Sequence, residues 1–116
     1  MKVKNYLDSK PTIIDTDVAK GIKGRVLIGK KDQAKNFCMR LFELSEGGFT
    51  PRHYHDWEHE IFILSGNGAI YCEGKWIKIN QNDSIFIPNN EEHQLKNIGK
   101  DSFKFICIIP SGVQEM

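Results

Sequence analysis

Short apolar runs recur along the chain, and each run is bounded by Gly, Asn, Asp or Pro. This punctuation is typical of an all-β sandwich or barrel. No segment carries the 3.6-residue period of a long amphipathic helix. We therefore predict an all-β fold made of short strands around one core. The predicted strands are residues 22–28, 37–44, 50–55, 58–64, 68–72, 75–79, 84–87, 92–97 and 103–109.

Two segments between predicted strands contain the residue types that tight turns require. They are residues 65–68, Ser-Gly-Asn-Gly, and residues 73–75, Glu-Gly-Lys. Gly and Asn adopt left-handed backbone angles at low energetic cost, and such angles close the tightest β-turns. We expect both segments to form β-hairpins.

Length and charge limit the classes of protein to consider. A chain of 116 residues suits one core and is too short for two ordinary domains, so we treat residues 1–116 as one β-barrel domain. Sixteen basic and fifteen acidic residues give a formal charge of +1, and neither sign is clustered. This balance argues against nucleic acid or a membrane surface as a partner.

The cysteines and the N-terminal residues bear on the cellular compartment. Cys38, Cys72 and Cys107 are widely spaced and odd in number, which fits a reducing compartment better than a disulfide framework. The first fifteen residues hold no apolar stretch like that of a signal peptide, and no segment approaches the ~20 apolar residues of a membrane-spanning helix. We expect a soluble, cytoplasmic protein.

Oligomeric state is suggested by the first twenty residues. Residues 3–7 and 12–15 are short extended pieces that could pair with the sheet edge of another subunit, which is one way to cover an open edge. We predict a homodimer with residues 1–20 at its interface.

All four histidines lie in two places, three of them within residues 53–59 and the fourth at His93. Residues at i and i+2 of a strand face the same side, so His53 and His55 can present both imidazoles to one point inside a barrel. His59 can return on the next strand after a turn. Neutral imidazole is the commonest metal-ligand side chain, and strands that meet across a narrow barrel bring such ligands together. The cluster therefore predicts a metal site.

The stretch around these histidines resembles the first motif of the cupin superfamily, G-x5-H-x-H-x3,4-E-x6-G. Residues 47–55 fit its opening without a gap, Glu60 falls at the longer allowed spacing, and Gly66 comes one position early. This resemblance implies an all-β, single-domain cupin fold, a double-stranded β-helix or jelly-roll barrel.

The second cupin motif, G-x5-P-x-G-x2-H-x3-N, is matched further along the chain. Pro88, His93 and Asn97 stand at its proline, histidine and asparagine, whereas Asn82 and Asn90 replace its usual glycines. Asn tolerates the left-handed conformation better than most residues with a side chain. The two departures therefore weaken the match only slightly.

The resemblance leaves two ligand sets to compare. Most cupins bind metal through two histidines, the motif's glutamate and the later histidine, which correspond here to His53, His55, Glu60 and His93. Adjacent residues of a regular strand face opposite ways, so His59 and Glu60 cannot both point inward.

A narrower resemblance favours His59. Residues 25–29, 36–44 and 57–62 are similar to a group of small bacterial manganese cupins with a four-histidine site. In that group the ligand falls at the position of His59 and the neighbouring glutamate does not bind. We therefore expect ligation by His53, His55, His59 and His93, with Glu60 in place of His59 as the alternative.

Metal identity and the pocket follow from the same comparison. Imidazole ligands by themselves suit Fe, Zn, Ni or Cu, and Mn is implied by the resemblance. Strand alternation and similar pocket positions in the four-histidine group place Arg40, Phe105 and Cys107 around the metal. An inward Arg40 could bind a substrate carboxylate bidentately. The alternatives are a salt bridge outside the barrel for Arg40 and a small buried apolar role for Cys107.

Four neutral imidazoles in an octahedral arrangement leave two adjacent positions for an oxidant and a substrate. We predict a metal-dependent oxidoreductase of dioxygenase or peroxide-using type that acts on a small organic molecule. A binding or sensing barrel without catalysis is the alternative from another class, and the same ligands support it. A metal-assisted isomerase ranks last, because it needs a free carboxylate such as Glu43 or Glu60 as its base.

Overall fold

The computed structural model describes all 116 residues and confirms the all-β prediction. The helical segments are two single 3₁₀ turns, Tyr6–Asp8 and Lys30–Asp32. Neither of them has the length or the apolar character to cross a membrane. The strands are β1 (Thr12–Ile14), β2 (Lys20–Ile28), β3 (Phe37–Phe49), β4 (His59–Ser65), β5 (Asn67–Cys72), β6 (Lys75–Asn80), β7 (Ser84–Ile87), β8 (Gln94–Asn97) and β9 (Phe103–Pro110).

The strands form one antiparallel sheet in the order β6-β5-β8-β3-β9-β4-β7, and β2 joins β3 on its other side and carries β1. The long strand β3 links the two halves of the sheet, since it pairs with β9 along most of its length and with β8 only at Phe49. The sheet folds over so that both halves contribute to one buried cluster. This is the barrel of a jelly-roll fold.

The core follows the two-residue period of the strands. Phe103, Leu44 and Ile63 are fully buried at its centre, with 0% exposure. Along β9 the inward side chains are buried and the outward ones half-buried, because alternate residues of a strand face opposite sides. Gly68 has no side chain where the ring of Phe103 approaches, so a methyl group there would displace the largest side chain of the core.

The prediction of a hairpin at residues 73–75 is confirmed, whereas the prediction of a hairpin at residues 65–68 is wrong. Strands β5 and β6 pair directly, and Glu73 and Gly74 between them have φ of 49° and 78°. Strand β4 instead pairs with β7 and β9, whereas β5 pairs with β6 and β8. Gly66, with φ of 90°, therefore carries the chain from one half of the sheet to the other.

The predicted strand at residues 50–55 is also absent. Strand β3 runs on to Phe49, and beyond it the only ladder pairing is an isolated bridge between His53 and His93. Pro51 explains the break, because proline has no N–H to donate to a neighbouring strand.

The first twenty residues pack on their own chain. Residues Thr12–Ile14 pair with β2 of the same chain, and residues 3–7 form no strand. The Lys4 ammonium lies 2.9 Å from the Asp32 carboxylate, which holds the N-terminal segment against the turn after β2.

Candidate metal centre

Three histidines converge at one end of the barrel. The backbone N–H of His53 donates to the His93 carbonyl at 3.1 Å, and the His93 N–H donates back to the His53 carbonyl at 2.9 Å. This bridge fixes the two residues opposite each other, and His55 follows on the same side. The potential ligand atoms of His53, His55 and His93 all lie within 4.8 Å of one another, which is compatible with a divalent metal ion.

The fourth histidine lies at the start of β4 and points inward. His59 is 6% exposed, and its Nε2 lies 2.6 Å from Nε2 of His55. Glu60, the next residue, is exposed, as the alternation of a regular strand requires.

Hydrogen bonds to backbone carbonyls fix the orientation of two rings. Nδ1 of His55 lies 2.9 Å from the Trp57 carbonyl, and Nδ1 of His93 lies 2.8 Å from the Glu91 carbonyl. A carbonyl oxygen only accepts, so each Nδ1 carries the proton and each neutral ring has its lone pair on Nε2. Nε2 of His93 is buried and has no hydrogen-bond partner. An orphaned lone pair of this kind fits a cation, and such carbonyl contacts commonly orient metal-binding histidines.

Burial favours the neutral form of His53, His59 and His93 at pH 7. Burial, followed by the nearby histidines, lowers the pKa of His59 to about 2 and that of His53 to about 4. Burial also lowers the pKa of His93, although its contact with the Glu91 carbonyl acts in the opposite direction. Metal ligation requires the neutral ring, so these three histidines are in the protonation state that a metal needs.

A cavity of about 410 Å³ opens beside the histidines. All four histidines line it together with Arg40, Phe105 and Cys107, which therefore lie inside the barrel. Most of its remaining wall is apolar, as is usual for small-molecule sites. The other lining residues are Ile14, Ile22, Phe42, Thr50, Pro51, Trp57, Ile61, Leu95, Gln114 and Met116.

Arg40, Cys107 and His59 form a buried chain of contacts. Nη2 of Arg40 donates to Sγ of Cys107 at 3.0 Å, and the same sulfur lies 3.0 Å from Nδ1 of His59. Burial raises the pKa of the Cys107 thiol, whereas the Arg40 charge and hydrogen bond lower it. Arg40 and Cys107 thus lie behind His59 and orient its ring.

Trp57 packs against the histidines. Its ring stacks on that of His55 with centroids 3.6 Å apart and planes inclined by 3°, and it lies at a wider angle beside His59. Since its carbonyl also accepts from His55, Trp57 fixes that ring both from its face and at its edge.

Carboxylates do not reach the cavity wall. Glu43 lies on the outer face of β3, where its Oε1 is 3.9 Å from Nζ of Lys104, and Glu60 is exposed on β4. None of the residues that line the cavity is acidic. The two carboxylates considered from the sequence as bases therefore lie outside the site.

Sequence reasoning missed the last residues of the chain. Gln114 and Met116 line the cavity, but they follow the last strand in a segment without hydrophobic period. No signal in the sequence places them over the histidines.

Comparison with known proteins defines the class. A model of the cupin domain matches residues 40–109, which is more than half of the chain and includes both histidine-bearing segments. The chain belongs to the cupin family.

Two named proteins are similar to this chain in sequence. The chain is 33% identical over 98 residues to the oxalate-binding protein of Thermotoga maritima, which covers 78% of this chain and 79% of that protein. It is also 33% identical over 97 residues to auxin-binding protein 1 of Arabidopsis thaliana, and this match covers 76% of the chain but only 47% of that protein.

A solved structure agrees with the fold over nearly the whole chain. The polyketide cyclase RemF from Streptomyces resistomycificus superposes with a TM-score of 0.88 at 33% identity, covering 95% of this chain and 79% of that one. These similar proteins are described as binders of different small molecules and as a cyclase, so the fold is shared among several functions.

Proposed function

We propose that the chain binds one divalent transition metal through His53, His55, His59 and His93 and acts as a metal-dependent oxidoreductase of dioxygenase or peroxide-using type on a small organic molecule. The orphaned, buried Nε2 of His93 is the observation that carries the metal site. Three further imidazoles surround it in a cavity whose remaining wall is mostly apolar, and neutral imidazole suits Fe, Zn, Ni or Cu better than Mg or Ca.

A bound transition metal supplies Lewis-acid and redox chemistry. The protein supplies orientation, because the carbonyls of Trp57 and Glu91 hold the rings of His55 and His93. Phe105 and Ile61 give the cavity an apolar wall that excludes water. Arg40 adds one buried positive charge for an anionic group of the substrate.

Manganese is our proposal for the metal, and it rests on the resemblance to the four-histidine manganese cupins. The donor set alone favours softer or borderline metals over Mn. The test is to purify the protein from cells grown with several metals and to measure the content of each metal. Bound Mn would indicate selective uptake, whereas bound Cu, Ni or Zn would indicate that affinity follows the Irving–Williams order.

The ligand choice is tested by a matched pair of neighbouring substitutions. We expect His59→Ala to lower metal content sharply, because it removes an inward donor, and Glu60→Ala to leave the metal bound, because Glu60 is exposed. Metal is measured by mass spectrometry of the elements after gel filtration. Retention by the first variant together with loss from the second would refute the assignment.

A binding or sensing barrel is the second candidate, and the relatives described as oxalate-binding and auxin-binding support it. A screen of small organic molecules with oxygen and with peroxide separates the two candidates. Turnover that disappears in His59→Ala supports the oxidoreductase. Ligand binding without turnover supports the barrel.

An isomerase has less support, because Glu43 and Glu60 lie outside the cavity. Proton transfer within a bound substrate needs a base within hydrogen-bond reach. Exchange of substrate hydrogen with deuterated water, without consumption of an oxidant, would favour the isomerase instead.

We further propose a cytoplasmic homodimer. All three cysteines are free thiols in the structure, which fits a reducing compartment. The interface expected at residues 1–20 stays part of this proposal, and exposed apolar side chains on the outer sheet face, including Phe62 and Phe86, give a second copy a further surface to cover.

A further inference from the structure

The last residues of the sequence, 113–116, fold back over the mouth of the histidine cavity; we call this segment the tail. Gln114 and Met116 line the cavity. The tail follows β9, and no backbone–backbone hydrogen bond joins it to the sheet. Its attachment therefore depends on a few contacts that involve side chains.

The first of these contacts is with Arg40. Nη1 of Arg40 donates to the Glu115 carbonyl oxygen at 3.2 Å, and Nη2 donates to Cys107 Sγ. Arg40 as a residue is 8% exposed, its Nε has no partner, and it forms no ion pair. A buried guanidinium normally pairs with a carboxylate or another anion. The neutral carbonyl of Glu115 therefore occupies a position that an anion would bind more strongly.

The second contact anchors the tail to the turn after β2. The backbone N–H of Lys30 donates to Oε2 of Glu115 at 2.7 Å. Gly29 makes room for this carboxylate, since a Cβ at that position would collide with it. The Glu115 side chain thus fixes the tail, while its carbonyl covers Arg40.

The third contact places an apolar group in the cavity. A Cβ at Gly24 would lie 2.7 Å from Sδ of Met116 and 3.0 Å from Cε1 of Phe42. Gly24 therefore leaves the space that the Met116 side chain fills beside Phe42. Gly24 has no positive φ, so an alanine there meets only the neighbouring side chains and imposes no backbone strain.

We propose that the tail is a displaceable occupant of the cavity, and that its physiological competitor is an organic anion with a carboxylate for Arg40 and a compact apolar body for the space held by Met116. This ligand class deepens the proposed function, since it places the substrate in the same cavity. It does not depend on which metal the histidines hold. Because the tail must leave before the ligand enters, the apparent affinity is the intrinsic affinity multiplied by the fraction of time that the tail is out of the cavity.

Binding is tested with phenylacetate, which has both features, and with 2-phenylethanol, which lacks the charge. We expect phenylacetate to bind at least about tenfold more tightly by calorimetry, because only a carboxylate can pair with Arg40. Arg40→Met, which keeps an apolar stem of similar length, should abolish this difference. Equal affinity of the two probes, or no binding of phenylacetate at all, overturns the ligand class.

Movement of the tail is tested by NMR of protein labelled with carbon-13 at its methionine methyl groups. The three signals belong to Met1, Met39 and Met116. We expect saturating phenylacetate to move the Met116 signal to the position of an exposed methionine, and Met39 to serve as the unchanged reference. Gly24→Ala should produce the same shift without any ligand. A Met116 signal that stays in place while phenylacetate binds, or one that is already at the exposed position in the free protein, contradicts the proposal.

Two substitutions of Glu115 separate displacement of the tail from simple charge removal. Glu115→Ala removes the acceptor that anchors the tail, and we expect phenylacetate to bind about threefold to tenfold more tightly. Glu115→Gln loses the charge but keeps an oxygen for the Lys30 N–H, so the gain should be clearly smaller. Glu46→Ala, an exposed glutamate on β3, is the matched control and should change nothing. Equal gains for Ala and Gln would mean that charge alone acts, and the tail would not be a competitor.

The experiments can show separately whether the ligand-class proposal or the metal-site proposal fails. Calorimetry is run on protein as purified and again after chelation, with melting curves to verify folding of every variant. Binding of phenylacetate that persists after chelation and requires Arg40 supports the ligand class even if the metal proposal fails. Binding that vanishes with the metal and ignores Arg40→Met overturns the ligand class while leaving the metal site intact.

Discussion

Acidification provides a quantitative test of how His59 is buried. The perturbation is a change from pH 7 to pH 5 in the metal-free protein, and the response is the free energy of unfolding. Burial, followed by the charges of the neighbouring groups, lowers the pKa of His59 from 6.5 to about 2, and the residue is 6% exposed. In the unfolded chain the ring is solvated, and its pKa returns to about 6.5.

The sign of the change in the free energy of unfolding follows from the number of protons that each state binds. Between these two pKa values the unfolded state binds a proton that the folded state does not, so stability rises with pH and is lost progressively as the pH falls below 6.5. At pH 5 the ring is about 1.5 units below its unfolded pKa, and at about 1.36 kcal/mol per unit His59 alone removes about 2 kcal/mol. His93, whose pKa is also lowered by burial, adds to the loss in the same direction.

Urea denaturation at the two pH values measures this difference. We expect the wild-type midpoint to fall by about 1 M or more at pH 5, given the slopes typical of small domains. His59→Leu removes the titrating ring, so its loss between pH 7 and pH 5 should be smaller by about 2 kcal/mol. Glu60→Gln, the exposed neighbour, should behave like the wild type. If His59→Leu and the wild type lose the same stability, His59 is not buried as a neutral ring.

Three further outcomes are expected. Asn97→Ala should lower the free energy of unfolding, measured in urea, by about 3 kcal/mol. The buried amide donates to the Leu44 and Asp101 carbonyls and accepts from the Gly99 N–H, and its removal leaves these groups without a hydrogen-bond partner; a loss below about 1 kcal/mol would contradict this. Asn82 has φ of 76°, so Asn82→Ala should lower the melting temperature by several degrees while Asn82→Gly does not, and equal effects would argue against backbone strain. Light scattering at micromolar concentration should give twice the mass of one chain, and a mass of one chain refutes the homodimer.

Much of the fold is predictable because strand periodicity and turn chemistry are local. The substitution of the motif glycines by Asn82 and Asn90 illustrates this, since both adopt positive φ, 76° and 64°, as expected of Asn at a glycine position. The turn at Gly66 shows the limit. Its residues indicate a tight turn, but whether the flanking strands pair with each other depends on long-range partners that no local pattern contains.

The histidine cluster was also predictable from local sequence patterns, although one step of the reasoning was wrong. We expected His53 and His55 to share a face of a regular strand, whereas Pro51 interrupts the ladder and a single bridge to His93 aligns the residues instead. The inward position of His59 and the outward position of Glu60 follow from strand alternation along β4.

The tail could not be predicted from the sequence. Its position depends on Arg40 from β3, on the Lys30 N–H in the turn after β2, and on the space left at Gly24. These groups are distant along the chain, and none carries a recognisable spacing. Only the folded barrel brings them together around residues 113–116.

The central claim is a metal ion held by four histidines, and elemental analysis combined with anomalous diffraction tests it most directly. The protein is purified without a histidine tag or added metal, and crystals are measured at the absorption edge of the metal found. We predict about one Mn per chain, with the anomalous peak between His53, His55, His59 and His93. Protein that holds no stoichiometric metal, or a peak coordinated by Glu60 in place of His59, would contradict the account.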